Sequence, residues 1–141
     1  MVAFDGSKDS MKAIDLGCSL SARYGSTFII VHVFSAALPP YTGVAPMPVP
    51  EIEGVAAAAK ERARAVLAQG IELAEARGTK VSGELIEAGS IVQALIEFAA
   101  EEKVDLIVVG TRGMTGFKKL ILGSVSSGLV SHSHCPVLVV R

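Results

Sequence analysis

Residues 110–126 read GTRGMTGFKKLILGSVS, and this stretch indicates how the rest of the chain is arranged. It follows an apolar run, DLIVV at 105–109, that is typical of a buried parallel strand. Its end, GSVS at 123–126, predicts the start of a helix. Glycine lets backbone N–H groups approach an anion, and a helix start adds unpaired donors and a positive dipole end. The first hypothesis is therefore a phosphate-binding loop.

The common phosphate-binding motifs do not fit this loop. A Walker A loop requires Gly-Lys at a fixed spacing after an earlier glycine, and a dinucleotide fingerprint requires Gly-x-Gly. The chain contains neither. It has Gly110-x-x-Gly113, nine further residues, and then Gly123-Ser124. The alternative is a glycine-rich loop that only reverses the chain direction, although a loop of this length is uncommon without a function.

Composition limits the possible classes of protein. The 141 residues suit one domain, here 1–141, and half of them are hydrophobic with a mean hydropathy of +0.50. A parallel sheet covered on both faces accounts for this. A net charge of −1 and an aromatic content of 5% argue against nucleic-acid binding. No run is long enough to span a membrane, and no signal peptide is evident, so a cytoplasmic location is expected.

The remaining residues predict alternating strands and helices. Apolar or alternating runs indicate strands at 1–4, 28–34, 80–87 (an edge strand), 105–109 and 136–140. Periodic apolar residues and caps indicate helices at 8–24, 51–77, about 90–103 and 124–133. This order predicts an α/β fold with a doubly wound, five-stranded parallel sheet and helices on both faces. Met1 is not necessarily the natural start of the chain.

Several features are open to more than one interpretation. Residues 35–50 hold five of the six prolines, so neither a helix nor an inner strand is expected there. They form a lid, a docking arm or a disordered insertion. His32 is a ligand, a base or, as we favour, a strand histidine with local hydrogen bonds. His132 and His134 fit helix capping better than catalysis. Cys18 and Cys135 are expected to be reduced rather than a redox pair.

The spacing G-2x-G-9x-G-S resembles the ATP-binding branch of the universal stress protein family, and the resemblance runs from end to end of the chain. It implies the strand order 3-2-1-4-5. In such sheets a ligand lies beyond the carboxyl ends of the strands where the order reverses, which here is between the first and fourth strands. Asp5 and Gly110 lie at these two strand ends.

The predicted ATP-binding residues combine this geometry with the resemblance. We expect the main-chain N–H groups of the loop and of the helix start to face the phosphates. The hydroxyls of Ser124 and Ser126 are expected to add further donors. The loop also holds three cations that either close over the phosphates or are simply solvated: Arg112, Lys118 and Lys119. The resemblance implies that Asp5 and the Val33 backbone recognise adenosine. It also implies that Asp5 can bind Mg or Mn through water. The full set is Ala3, Phe4, Asp5, Val33, Val109, Gly110, Arg112, Gly113, Gly123, Ser124, Val125 and Ser126.

Three functions are compatible with these residues. The first is a regulatory stress protein that senses ATP, or AMP or ADP, and changes its binding to a protein partner whose identity the sequence does not give. The second is a slow Mg-dependent ATPase or nucleotide-transfer enzyme, although the glycine loop offers no base for an attacking water. The third is a structural dimer without nucleotide. The family commonly dimerises through the last strand, so a homodimer through Val137–Val140 is expected.

Overall fold

The computed structural model describes residues 1–35, 49–113 and 122–141. Strands and helices alternate along the chain, as the sequence predicts. The elements are β1 (Val2–Ala3), α1 (Lys8–Tyr24), β2 (Ile29–Phe34), α2 (Val49–Glu75), β3 (Ser82–Glu87), α3 (Ile91–Glu101), β4 (Ile107–Gly110), α4 (Ser124–His132) and β5 (Val137–Val140).

The five strands form one parallel sheet in the order β3-β2-β1-β4-β5, which confirms the predicted fold class. The short strand β1 lies at the centre, where Ala3 pairs with Val31 of β2 on one side and with Val109 of β4 on the other. β3 is an edge strand, as its alternating sequence predicts. The chain order reverses between β1 and β4, so a crevice is expected at the carboxyl ends of these two strands.

Two hydrophobic clusters cover the two faces of the sheet. On one face, strand residues such as Val31 and Val109 pack against Leu95 of α3 and Leu129 of α4. On the other face, strand residues such as Ile30 pack with residues of α1 and α2. Because neighbouring strand residues point to opposite faces and both faces are covered, β4 is apolar throughout and β2 is apolar except for His32.

Helix α1 has the bounds that its caps predict. The Ser7 side chain accepts a hydrogen bond from the Ser10 N–H at the start, and Gly25 ends the helix in the left-handed conformation at φ 64°. Gly17 lies against the sheet, where an added Cβ would come within 2.5 Å of Phe28. The small residues of this helix therefore allow its close packing on the sheet.

The start of α2 corrects one prediction. The sequence excluded a helix from the whole of 35–50, but α2 begins at Val49 and contains Pro50 in its first turn. Proline is tolerated there because the N–H groups of the first turn have no acceptor within the helix. The rest of the proline-rich segment, 36–48, lies outside the described residues. α1 has the predicted bounds, and the ends of the other elements differ from the predicted ones by at most two residues.

Within the described residues, no helix is long and apolar enough to cross a membrane. Cys18 and Cys135 are free cysteines. His32 lies in β2, and its Nδ1 lies 2.8 Å from the Phe4 carbonyl oxygen. A carbonyl only accepts, so Nδ1 carries the proton and donates. The prediction that His32 has a local hydrogen-bond partner is therefore confirmed.

Candidate functional site

A cavity of about 320 Å³ opens at the carboxyl ends of β1 and β4. Every residue of the predicted ATP-binding set lines it: Ala3, Phe4, Asp5, Val33, Val109, Gly110, Arg112, Gly113, Gly123, Ser124, Val125 and Ser126. The parallel sheet thus brings residues from both ends of the chain to one place. Lys118 and Lys119, the other predicted cations, lie outside the described residues.

The sequence did not identify the remaining lining residues, which are Ser10, Val31, Ile91, Leu95 and Thr111. Some of them had a signal in the sequence. Val31 precedes Val33 by two residues and so shares its face of β2. Leu95 belongs to the apolar face of α3, which periodic apolar residues in the sequence mark. Nothing in the sequence marked Ser10 or Thr111, whose positions depend on how α1 meets β4.

The turn between β1 and α1 is held by short-range hydrogen bonds. The Ser7 N–H donates to Asp5 Oδ1 at 3.0 Å, and the Ser10 hydroxyl donates to the Ser7 carbonyl at 3.0 Å. Gly6 between them has φ 83°, which a residue with a side chain adopts only at a cost. One oxygen of the Asp5 carboxylate is therefore fixed within the turn.

The second Asp5 oxygen faces the glycine loop. A Cβ added to Gly113 would lie 2.7 Å from Asp5 Oδ2, closer than real side chains approach. A side chain at 113 would thus push aside the end of the Asp5 side chain. Gly110 is required, since its added Cβ would lie 2.8 Å from the backbone of Asp9 and Ser10. The glycine at 110 serves the packing of α1 on β4.

Thr111 closes the base of the glycine loop. Its carbonyl accepts from the Gly123 N–H at 2.7 Å and from the Ser126 hydroxyl at 3.1 Å. Its own N–H donates to the Val140 carbonyl at 2.7 Å. The two ends of the loop, 111 and 123, are therefore joined directly to each other and to β5.

The first turn of α4 differs from those of α1 and α3. Ser7 and Ser90 cap α1 and α3 through their hydroxyls, whereas Gly123 caps α4 without any side-chain hydrogen bond. The N–H groups of Ser124, Val125 and Ser126 therefore have no acceptor from a capping side chain. These donors lie at the wall of the cavity, where the helix dipole favours an anion.

The two serine hydroxyls of α4 have different surroundings. The Ser126 side chain is 2% exposed, and its hydroxyl lies 3.1 Å from both the Thr111 and Gly123 carbonyls. The hydroxyl has one proton, and it donates that proton to a carbonyl of the loop rather than to a ligand. Ser124 is exposed at the start of the helix. Of the two predicted phosphate donors, Ser124 is the one whose hydroxyl faces solvent.

Arg112 contributes a buried donor to the site. Its Nε has no hydrogen-bond partner within the part of the chain that the structure describes. Buried N–H groups are nearly always paired, so an unpaired one beside a cavity indicates an absent acceptor. Since Nε belongs to a guanidinium, the acceptor that fits best is an anionic oxygen.

The inner half of the cavity is apolar. Ala3, Val31, Val33 and Val109 form its floor on one face of the sheet, and Leu95 of α3 faces them. Pairing of β1 with β2 ends at Ala3↔Val31, followed by one bond from the Phe4 N–H to the Val31 carbonyl at 2.9 Å. Val33 lies beyond this last pair. Its backbone edge on the β1 side therefore borders the crevice, whereas β3 pairs with β2 on the other side, at Val33↔Ile86.

The site thus has an apolar slot bordered by a backbone edge at one end and uncapped helix donors with a cation at the other. The Universal stress protein family model matches residues 1–141. Universal stress protein YxiE of Bacillus subtilis is 36% identical over 145 residues, covering all of this chain and 97% of that protein. The chain belongs to the universal stress protein family.

Solved structures agree with the fold. The universal stress protein UspA from Lactobacillus plantarum superimposes with a TM-score of 0.80 at 19% identity, covering 99% of this chain and 96% of that one. A universal stress protein solved in complex with cAMP has a TM-score of 0.67 at 28% identity, covering 99% and 93%. That relative binds an adenine nucleotide, and it has the fold of this chain.

Proposed function

We propose that this protein binds an adenine nucleotide, preferentially ATP, in the cavity between β1 and β4 and acts as a nucleotide-sensing regulatory protein of the stress response. The observation that carries the proposal is that two sets of donors, which no side chain among the described residues caps or pairs, belong to residues that line this cavity. These are the uncapped N–H groups of α4 and the buried Nε of Arg112. The cAMP complex of a relative supports an adenine nucleotide as the ligand.

The two halves of the cavity suit the two halves of a nucleotide. The slot between β2 and α3 is apolar and takes a flat base, whose edge can hydrogen-bond to the Val33 backbone. The donors at Ser124–Ser126 and Arg112 take the phosphates. A volume of about 320 Å³ lies at the lower end of the usual range for small-molecule sites, roughly 300–1,000 Å³. The cavity therefore suits a nucleoside, with the outer phosphates at the loop.

The charges of the site favour a divalent cation beside the phosphates. A helix N-terminus supplies about +0.5 charge, and Arg112 adds one positive charge. Asp5 opposes them with a carboxylate whose Oδ2 faces Gly113. A triphosphate next to that carboxylate is repelled unless a cation lies between them. Asp5 would hold Mg or Mn, through water or directly, and the ion would supply charge neutralisation.

The site offers little machinery for rapid hydrolysis. Asp5 is the one carboxylate among the described residues that line the cavity. Its Oδ1 is already bound by the Ser7 N–H. An attacking water needs a base held within hydrogen-bond reach, and a carboxylate that faces the phosphates is poorly placed to serve as one. We therefore propose a sensor rather than an ATPase.

The first test denatures the purified protein and identifies the released small molecule by mass spectrometry. The second measures the affinities for ATP, ADP, AMP and GTP by calorimetry. ATP binding that is tighter than GTP binding is expected. Absence of any nucleotide, bound or added, contradicts the proposal and favours a structural factor. Turnover well above about one per minute under excess Mg-ATP contradicts the sensor and favours the enzyme, because typical enzymes turn over near 10 per second.

The chain is proposed to act as a single cytoplasmic domain and as a homodimer. Among the described strands, β5 lies at the edge and pairs with β4 alone, and all four of its residues are only half-buried. An apolar edge of this kind favours pairing with a second copy. Light scattering at micromolar concentration should give the mass of two chains, and a monomeric mass contradicts this part of the proposal.

A further inference from the structure

Ser7 makes a second hydrogen bond besides its role as the cap of α1. Its Oγ accepts from the Ser10 N–H at 3.2 Å and donates to the Arg112 carbonyl at 3.1 Å. A hydroxyl has one proton to donate, so that proton goes to Arg112 and a lone pair serves the cap. One atom thus joins the start of α1 to a loop 105 residues away in the chain.

The bond to Arg112 fixes the orientation of a peptide unit that lines the cavity. The Arg112 carbonyl and the Gly113 N–H belong to the same planar trans peptide and therefore point in opposite directions. Because the Arg112 carbonyl is bound by Ser7 at the start of α1, the Gly113 N–H points away from α1. Gly113 lines the cavity, and without the bond this peptide can rotate, because a glycine on one side leaves its torsions free.

We propose that Ser7 is a positioning residue, which orients the Arg112–Gly113 peptide of the glycine loop so that its N–H serves the phosphates of the bound nucleotide. This inference rests on the proposed function and deepens it. It assigns Ser7 no contact with the base, since Ser7 is absent from the described residues that line the cavity. Loss of the bond should therefore weaken phosphate binding selectively.

The experiment compares calorimetric affinities of Ser7→Ala for ATP and for adenosine. A lost hydrogen bond of typical net strength corresponds to a decrease of about tenfold in ATP affinity. Adenosine affinity should stay within about twofold, since adenosine has no phosphate for the loop to bind. Ser7→Thr keeps a hydroxyl that can cap and donate, and it should restore ATP affinity.

Ser90→Ala is the matched control for loss of a cap. Ser90 also caps a helix, accepting from the Gln93 N–H at 3.4 Å, and none of the described contacts joins its hydroxyl to the glycine loop. The Ser90→Ala variant should lose stability as Ser7→Ala does, and it should bind ATP with the affinity of the wild type. Ser7→Gly provides a second variant for the case that Ser7→Ala fails to fold, because glycine at a cap costs only a few tenths of a kcal/mol.

The outcomes separate the two proposals. If Ser7→Ala and Ser7→Gly bind ATP as the wild type does, the positioning role is wrong and the nucleotide site stands. If they lose ATP and adenosine equally, or if Ser90→Ala loses ATP as well, the effect is one of general stability and the positioning role is again wrong. If the wild type binds neither ligand, the proposed function itself fails, and the role of Ser7 with it.

Discussion

The Thr111 hydroxyl donates to Asp9 Oδ2 at 2.6 Å, which links the end of β4 to the first turn of α1 across 102 residues of sequence. Thr111 is 8% exposed, and the neighbouring Gly110 lies against the backbone of Asp9 and Ser10. The contact between β4 and α1 is therefore fixed by both a hydrogen bond and close packing. The end of β4 and the first turn of α1 are thus held together without a ligand.

Replacing Thr111 by valine keeps the shape of the side chain and removes the donor to Asp9. We expect a loss of about 1–3 kcal/mol in the free energy of unfolding, because a half-buried carboxylate loses its partner. Denaturant titration measures this. Thr111→Ser retains the hydroxyl and should recover most of the stability. Equal stability of the valine variant and the wild type would show that this bond contributes little.

Gly113→Val should abolish ATP binding and leave the fold intact. The added Cβ would lie 2.7 Å from Asp5 Oδ2, and the branched side chain would occupy the space where the loop meets the phosphates. Gly89→Ala is the control, since an added Cβ at Gly89 meets nothing within 4 Å. Calorimetry gives the ATP affinity, and circular dichroism checks the fold. An unchanged affinity of Gly113→Val would remove this glycine from the site.

Arg112→Met should weaken ATP binding without reducing stability. The Nε is buried without a partner among the described residues, so the ligand-free protein loses no hydrogen bond of that atom. Removing an unsatisfied buried donor can instead raise the free energy of unfolding, by about 1 kcal/mol. Thermal unfolding with and without ATP measures both effects. A variant that is destabilised and binds ATP normally would contradict the role of Arg112 as a phosphate ligand.

Asp5→Asn should reduce the dependence of ATP binding on Mg. The amide oxygen of asparagine can still accept from the Ser7 N–H, so the turn is preserved, while the negative charge beside Gly113 is lost. We expect tighter ATP binding than the wild type in EDTA and a smaller gain on adding Mg. If wild type and variant show the same gain with Mg, Asp5 does not take part in cation binding.

Much of the site could be predicted from the sequence because its parts are set by short-range rules. The Gly123-Ser124 start of α4 and the cap at Ser7 are local signals. The alternation of strands and helices then brings the ends of β1 and β4 together, whatever the side chains do. The predicted residues therefore line one cavity, although Asp5 and Gly113 are far apart in sequence.

The specific roles of the hydroxyls could not be predicted. Ser126 was expected to donate to phosphate, but its hydroxyl lies between the Thr111 and Gly123 carbonyls. The bonds from Ser7 to Arg112 and from Thr111 to Asp9 depend on the distance between two strand ends. No local pattern encodes that distance. The start of α2 at Val49 was missed because proline was treated as a helix breaker at every position.

The proposed function requires the uncapped first turn of α4 to hold the phosphates of the nucleotide. Titration of isotopically labelled protein with Mg-ATP, followed through the backbone amide resonances, tests it most directly. We expect large shifts for the Ser124, Val125 and Ser126 amides and a small one for the Gln93 amide, which the Ser90 side chain already caps. Saturating ATP that leaves the three α4 amides unshifted would contradict it.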